Sequence, residues 1–236
     1  EHLVRFEDTV KETELYYYPM ESEQRLLNTL KAGEMEESDR VLDQLFHRNF
    51  TERELSYDMT QQFVVELKGT FLKLEPKIML DEALVDEFKN RIAAIQVTDS
   101  VTVLRDKFHQ LAKDVCLDIQ RKKSNMHAEI INETMVYIQE RYADATLTVY
   151  RIAEQMGKPE KYISQLFKEY TGENLSDYVE KVRINKAAEL LCETERTIDE
   201  IALTTGYNSA HSFRRAFKRV RGVLPSSFRQ MGNEME

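Results

Sequence analysis

The chain has 236 residues, enough for one large domain or two small ones. Apolar residues make up 42% and charged residues 32%, which is typical of a folded globular protein and excludes a disordered tail. Only seven glycines and four prolines occur, so the composition favours a mostly helical protein over a turn-rich all-β protein. Two cysteines, Cys116 and Cys192, cannot build a disulfide framework or a four-thiolate zinc site, which favours a reducing compartment.

The formal net charge of −9 hides an uneven distribution. Residues 1–128 hold 18 basic and 25 acidic residues, whereas residues 129–236 hold 15 and 17. Within the second part, residues 206–231 carry six basic residues and no acidic one: Arg214, Arg215, Lys218, Arg219, Arg221 and Arg229. A local positive cluster in an acidic chain indicates either a phosphate-binding surface or an ordinary solvated basic helix.

Apolar residues recur at helical spacing throughout residues 1–128, so we predict a helical N-terminal domain. One stripe contains Val101, Leu104, Phe108, Leu111 and Val115, which alternate by three and four positions. This spacing also occurs in coiled coils, but two heptads are too few to establish one, and a core helix of a bundle is favoured. The basic, polar segment KKSNMHAE, residues 122–129, is the best linker candidate.

An internal repeat follows, with a period of about 50 residues. Residues 152–172 read IAEQMGKPEKYISQLFKEYTG and residues 201–222 read IALTTGYNSAHSFRRAFKRVRG. Both contain the frame I-A-x3-G, then nine or ten residues, then F-K-x3-G. The inner glycine of each copy, Gly157 or Gly206, is expected to end a short helix in the left-handed conformation. A second helix then begins near Pro159 or Ser209, which predicts two helix-turn-helix units, about 146–172 and 195–222.

The second helix of such a unit can enter the major groove of DNA. Side chains that donate or accept hydrogen bonds dominate its exposed positions, as readout of base edges requires. Arg214 and Arg215 are the strongest specificity candidates, and Lys168 and Lys218 are candidates for phosphate contacts. The full set of predicted DNA-binding residues is Lys161, Tyr162, Ser164, Gln165, Lys168, Asn208, Ser209, His211, Ser212, Arg214, Arg215 and Lys218.

Residues 174–194 predict one helix between the two units. About 18 residues of helix span roughly 27 Å, while successive major-groove faces on one side of B-DNA lie about 34 Å apart. One helix would thus place two reading helices in adjacent grooves, with some bending of the DNA. Arg183, in the middle of this helix, either braces the two halves or contacts phosphate, and bracing is favoured.

Residues 130–231 resemble the DNA-binding domain of AraC/XylS-type transcription regulators. The matching elements are YRIAEQMG, YISQLFKEYTG, VRINKAAELL, IDEIALTTGY, SFRRAFKRVRG and LPSSFR. The resemblance implies a bacterial regulator that binds asymmetric promoter sites and recruits RNA polymerase as an activator. By position, the family's base-reading slots fall on Lys161, Ser164 and Gln165 in the first unit and on Ala210, His211, Ser212 and Arg215 in the second.

Two departures from the family pattern stand out. Ala210 offers at most a contact with a thymine methyl group, because it cannot form a hydrogen bond with a base. Residues 157–192 carry six basic and six acidic residues, so the first unit has no net positive charge and a weaker phosphate contact is expected.

The stretch YYYPMESEQRLLNTLKAGEMEESDRVLDQLFHRN is similar to the helical cytosolic segment of some AraC-type membrane receptors. A similar segment follows the phosphoacceptor domain in AraC-type response regulators. Either similarity implies that residues 1–128 relay a signal or form a homodimer. We expect a cytoplasmic protein, or the cytosolic part of a membrane-anchored receptor, because no signal peptide and no uncharged stretch of about 18 residues occurs.

No catalytic site or metal site is expected. Nucleotide-binding glycine motifs are missing from the sequence, and the five histidines show no zinc-binding spacing with a carboxylate. No cofactor is therefore predicted. The sequence predicts an all-α, non-enzymatic regulator with a helical domain at 1–128 and a DNA-binding domain at 129–236 that binds duplex promoter DNA. The alternative is a protein-interaction module that keeps the helical fold without reading DNA.

Overall fold

The computed structural model describes residues 15–74 and 82–233. That part of the chain contains eleven α-helices and no β-strand, which confirms the all-α prediction. The chain divides between Ser124 and Asn125 into two compact units, the N-terminal unit and the C-terminal unit. The helical prediction for residues 1–14 and 75–81, and the last predicted residues 234–236, lie outside the described residues.

The N-terminal unit contains helices that follow the predicted apolar stripes. Their bounds are α1 Met20–Ala32, α2 Met35–Phe50, α3 Tyr57–Leu72 and α4 Glu82–Ala93, together with the first part of α5 Val101–Arg141. Phenylalanine rings from three of these helices meet in the core, with Phe46, Phe63 and Phe108 all buried. The helices therefore bury their apolar faces against one another, which is the main source of their stability.

The stripe that begins at Val101 lies on α5 and faces the core of the N-terminal unit. Leu104, Phe108, Leu111 and Val115 are all buried there, whereas Val101 is exposed. The predicted core helix is thereby confirmed. Because these side chains are already covered within one chain, they offer no apolar surface to a second copy. The linker candidate, residues 122–129, is helical throughout as part of α5.

The C-terminal unit begins with the last turns of α5 and continues with six further helices. These are α6 Val149–Gln155, α7 Glu160–Thr171, α8 Leu175–Glu193, α9 Ile198–Thr204, α10 Ala210–Arg221 and α11 Pro225–Asn233. The predicted starts near Pro159 and Ser209 are confirmed, because each of these residues is the N-cap of the helix that follows. The predicted joining helix is α8, whose 19 residues span about 28 Å.

Two apolar clusters divide the C-terminal unit. The first surrounds Phe167 on α7 and the second surrounds Phe217 on α10, and both rings are fully buried. Helix α8 contributes to both clusters, with its N-terminal half up to Val182 in the first and its C-terminal half from Ile184 in the second. Each helix-turn-helix unit thus has its own small core, and one helix is shared between them.

Candidate nucleic-acid interface

The first helix-turn-helix unit consists of α6, a turn at Gly157 and α7. The hydroxyl of Thr148 accepts a hydrogen bond from the backbone N–H of Arg151 at 3.3 Å and so caps the start of α6. Gly157 adopts the predicted left-handed conformation, with φ of 61°. Beyond it, α7 buries its apolar side chains, including Phe167, in the first cluster. The opposite face of α7 remains open to solvent.

That open face carries three predicted DNA-binding residues, Lys161, Gln165 and Lys168, and all three are exposed. Gln165 donates a hydrogen bond from Nε2 to Oε1 of Glu169 at 2.8 Å, which holds its amide in one orientation. Within the described residues, neither lysine forms an ion pair or a side-chain hydrogen bond. Both ammonium groups are therefore available to a phosphate.

The other two predicted residues of α7 lie closer to the protein interior. Ser164 is half-buried. Tyr162 is also half-buried, packs against the first cluster and meets the ring of His127 edge-on at 6.3 Å between ring centroids. Much of the Tyr162 ring is therefore covered by α5 and by the first cluster.

The second unit repeats this arrangement with α9, a turn at Gly206 and α10. Thr197 and Glu200 form a reciprocal capping box at the start of α9, in which each side chain accepts from the other's backbone N–H. The hydrogen bonds from the Thr197 backbone and hydroxyl lower the pKa of Glu200 from its ordinary value. The acidic first turn, which contains Asp199, also matches the positive end of the helix dipole.

Two predicted DNA-binding serines cap α10. Ser209 accepts a hydrogen bond at Oγ from the backbone N–H of Ser212 at 3.2 Å, and the Ser212 hydroxyl donates to the Ser209 carbonyl at 2.9 Å. Both serines and the neighbouring Asn208 are exposed. The pair therefore fixes the N-terminus of α10 and still presents hydroxyl groups at the surface.

The exposed face of α10 carries His211, Arg214, Arg215 and Lys218. Arg214 donates from Nη2 to Oδ1 of Asp199 at 2.8 Å, so α9 already holds its guanidinium. Among the described residues, Arg215 and Lys218 have no such acidic partner. The two arginines that the sequence ranks together as specificity candidates thus differ in the structure.

The remaining arginines of the basic cluster bind other parts of the C-terminal unit. Arg219 pairs with Glu180 of α8, which raises the pKa of the arginine from its ordinary value. Arg221 donates to the side-chain oxygen of Asn185 at 3.0 Å. Arg229 donates to the backbone carbonyls of Leu191 and Arg196, at 3.1 and 2.6 Å. Four of the six basic side chains of residues 206–231 thus have partners within the C-terminal unit, and in the described part of the chain Arg215 and Lys218 are the two without such a partner.

Arg183 braces the two halves, as its position in the joining helix predicts. Its Nε donates to the carbonyl of Tyr142 at 2.9 Å and its Nη2 donates to the carbonyl of Asp144 at 2.8 Å. Its guanidinium lies over the ring of Tyr207, 5.8 Å from the centroid. Burial lowers the pKa of Arg183 from its ordinary value and raises the pKa of Tyr207 to about 12.

Several of these partners carry no signal in the sequence. Asp199, Glu180 and Tyr142 lie between 15 and 41 positions away from the arginines that they bind. All three lie outside the repeated segments 152–172 and 201–222, so these contacts become visible only in the packed structure. Among the described residues, no group of three or more His, Cys, Asp or Glu side chains is placed to hold a metal ion. In that same part of the chain, no helix has the length and apolar character needed to cross a membrane.

Comparison with known proteins agrees with this geometry. A family model described as a helix-turn-helix domain matches residues 152–231. The regulatory protein SoxS of Escherichia coli K12 is 34% identical over 103 residues, which cover 44% of this chain and 95% of SoxS. The HTH-type transcriptional regulator YtdP of Bacillus subtilis is 26% identical over 231 residues, which cover 95% of this chain and 29% of YtdP.

The chain therefore spans less than a third of the length of YtdP, although it spans nearly all of SoxS with its C-terminal part. A solved structure, the C-terminal domain of the response regulator AraT from Geobacillus stearothermophilus, is 36% identical. The match covers 43% of this chain and 84% of the AraT chain, with a TM-score of 0.43. The repeated helix-turn-helix frame and the 34% identity to nearly the whole of SoxS show that the chain belongs to the AraC/XylS family of DNA-binding transcription regulators.

Proposed function

We propose that the C-terminal unit reads duplex promoter DNA by placing α7 and α10 in two successive major grooves. One observation carries the proposal: both second helices bury their apolar side and expose a row of polar and basic side chains. A helix with that division, preceded by a short helix and a tight turn, has the form that enters a major groove.

The contacts of the exposed side chains suggest a division of roles. Gln165 and Arg215 are assigned to base edges, since an amide pairs with adenine and a guanidinium with guanine by two hydrogen bonds. Lys161 and His211 are assigned to base edges because they are exposed at the family's base-reading positions. Lys168 and Lys218 are assigned to phosphates, which fix the register of the protein on the duplex. Asn208, Ser209 and Ser212 lie at the N-terminus of α10, where backbone N–H groups also favour a phosphate.

Three predicted residues receive narrower roles. Arg214 is assigned to a phosphate, for which it would leave its ion pair with Asp199. That exposed pair is easily given up, because such surface pairs are worth only about 0–1 kcal/mol. Ser164, half-buried, is assigned to a contact at the edge of the interface. Tyr162 is assigned to supporting α7 through its packing on His127, with only its exposed edge near the DNA.

Selection of bound duplexes from a random pool, followed by titration of the selected duplex at several salt concentrations, tests the proposal. We expect tight binding whose logarithm falls with the logarithm of salt concentration by about 0.9 for each phosphate contact. The matched control is the exposed Arg196→Ala variant, which removes a positive charge outside the two reading helices. Failure to enrich any duplex, or a salt-independent interaction, would favour a protein-interaction module instead.

For the N-terminal unit we propose a role in relaying a signal to the DNA-binding unit or in forming a homodimer. The alignment with YtdP supports this role, because it runs through both units and places them together inside a longer transcriptional regulator. Sedimentation of the full chain separates the two roles. A dimer at micromolar concentration supports dimerisation, and a monomer leaves the relay as the role to test.

We further propose that the DNA-bound chain contacts RNA polymerase at promoters. The support is the family membership and the exposed apolar side chain of Leu203 on α9, which is 64% exposed and flanked by the acidic first turn of that helix. A transcription assay with purified polymerase and a template that carries the selected duplex tests this contact. We expect the transcript yield to change in the presence of the chain, and Leu203→Ser to reduce the change without altering affinity for the duplex.

A further inference from the structure

The two helix-turn-helix units meet at one residue of the shared helix. Val182 packs in the first cluster and Ile184 packs in the second, so Arg183 occupies the position at which α8 passes from one core to the other. Each core packs against its own half of α8, so their relative orientation depends on that packing and on any contact that joins the two halves at this point. Any side chain that ties both cores together at this point would help to fix that orientation.

Toward the first unit, the Arg183 side chain binds the backbone that leads into α6. The carbonyls of Tyr142 and Asp144, which both follow the end of α5, accept hydrogen bonds from two different nitrogens of the guanidinium. Because the guanidinium is planar and rigid, two simultaneous hydrogen bonds fix its orientation relative to that backbone. The half-buried side chain therefore holds α8 at a fixed position relative to the segment between α5 and α6.

Toward the second unit, the same guanidinium lies against the turn between α9 and α10. It stacks over Tyr207, and the neighbouring Gly206 is so close to the end of α5 that no side chain fits. An added Cβ at Gly206 would lie 2.4 Å from the carbonyl oxygen of Tyr142 and 3.0 Å from Nε of Arg183. The end of α5, Arg183 and the second turn thus form one packed junction.

A second contact joins α10 to α8 close to Arg183. Arg219, near the end of α10, pairs with Glu180, which lies in the half of α8 that belongs to the first cluster. The Arg183 contacts join the turn before α10 to the first half of the C-terminal unit, and the Arg219–Glu180 pair joins α10 itself to that half. Because the Arg219 side chain is exposed, its ion pair adds little stability, and the contacts of the half-buried Arg183 carry the inference.

We propose that Arg183 is a positioning residue that sets the rotation and distance between α7 and α10, and so determines which half-site spacing the protein accepts. The inference rests on the proposed function, because it concerns the DNA that the two helices read. It assigns Arg183 no contact with DNA: two of its nitrogens bind backbone carbonyls and its face covers an aromatic ring. Its effect on recognition is carried by the geometry of the C-terminal unit.

The test uses the full chain and a duplex selected by that chain from a random pool. Derivatives of the duplex carry one or two base pairs inserted or deleted between the two half-sites, and another retains a single half-site. Each inserted base pair rotates one half-site by about 34° relative to the other, given 10–10.5 base pairs per turn. Affinity is measured for the unchanged chain, Arg183→Met, Arg183→Lys and the control Arg196→Met.

We expect the unchanged chain and Arg196→Met to lose at least tenfold in affinity when the spacing changes by two base pairs. Arg183→Met is expected to lose affinity for the original spacing and to reduce the spacing penalty at least threefold, with single half-site affinity within twofold of the unchanged chain. Arg183→Lys should fall between them, because an ammonium group cannot bind both carbonyls in the same fixed geometry.

Three results would overturn the inference. The first is that Arg183→Met loses as much affinity as Arg196→Met when the spacing changes by two base pairs. If Arg183→Met does not fold, the same loss in Arg183→Lys as in the unchanged chain has the same meaning. The second is an equal loss on every duplex, including the single half-site, with a shallower salt dependence, which would reassign Arg183 to a phosphate. The third is enrichment of no duplex by the unchanged chain, which alone would overturn the proposed function as well.

Discussion

The two helix-turn-helix units have the same frame and the same order of helices, yet their turns have different surroundings. Gly157 and Gly206 both adopt positive φ angles, 61° and 84°. A Cβ at Gly157 would meet nothing within 4 Å, whereas a Cβ at Gly206 would collide with the backbone of Tyr142. The first turn thus requires glycine only for its conformation, and the second requires it for packing as well.

The reading helices differ less in available positive charge than their sequences indicate. Helix α10 carries five basic residues and no acidic one, while α7 carries two of each. In the structure, Asp199, Glu180 and Asn185 bind three of the arginines of α10. Among the described residues, each reading helix is left with two cations that have no side-chain partner. The net charge of a segment is therefore a poor measure of the charge that it offers to a ligand.

The largest effect that separates the two units is expected from matched alanine substitutions in the turns. Gly157→Ala should lower the free energy of unfolding by about 1–2 kcal/mol, the cost of a left-handed conformation for a residue with a Cβ. Gly206→Ala should cost about 1–3 kcal/mol more, because the extra atom must also displace packed backbone. Urea unfolding of both variants measures the difference, and equal losses would contradict the packed junction.

The next effect concerns DNA affinity. Arg215→Ala should weaken binding to the selected duplex by about 1–3 kcal/mol and relax the base preference at one position. Gln165→Ala at the corresponding face of α7 should have a smaller effect, because Glu169 already occupies one donor of that amide. Titration of a set of duplexes with single base changes distinguishes the two outcomes. Equal weakening on all sequences would assign Arg215 to phosphate.

The caps of the two short helices should differ by less. Thr197→Ala is expected to cost about 1 kcal/mol, since it breaks a reciprocal capping box, and Thr148→Ala about 0.5 kcal/mol, since it removes a single weak cap. The comparison is made from thermal or urea unfolding at neutral pH. Loss of more stability in Thr148→Ala would reverse the expected order.

The Thr197 cap should also depend on pH. Because its hydrogen bonds lower the pKa of Glu200 in the folded state, the stabilisation is present above the ordinary pKa of about 4.5 and is lost as the pH falls below it. Thr197→Ala loses the hydroxyl bond to Glu200 but keeps the backbone N–H bond, so the stability difference between the unchanged chain and this variant should shrink in part on acidification, whereas the Thr148→Ala difference should not. Parallel curves for the two variants down to acidic pH would exclude this role of Glu200.

The smallest effect is expected in the salt dependence of binding. Lys168→Ala and Lys218→Ala should each make the slope of log affinity against log salt shallower by about 0.9, the value for one phosphate contact. Their effects should be similar, because both lysines are exposed and have no ion-pair partner in the described part of the chain. A change for Lys218 alone would show that Lys168 makes no phosphate contact.

Much of the helical arrangement was predictable because it depends on local features. Apolar spacing identified the helices, including the stripe from Leu104 to Val115, and the frame glycines marked where helices end. The exposed positions on α7 and α10 followed from the same periodicity. The available charge did not, since Arg214, Arg219 and Arg221 are bound by residues 15 to 39 positions away. Such pairs depend on how helices cross, which no short sequence pattern encodes.

By itself, the sequence determined that this protein is mainly helical and that its C-terminal part contains two helix-turn-helix units, and the resemblance to a known family indicated a DNA-binding regulator. Periodicity, glycine positions and capping residues are properties of neighbouring residues, so they can be read along the chain. The tertiary structure alone decided which arginines remain available and that Gly206, Tyr207 and Arg183 form one junction with the end of α5. These outcomes depend on distances of a few ångströms between distant parts of the chain, which exist only after the helices have packed.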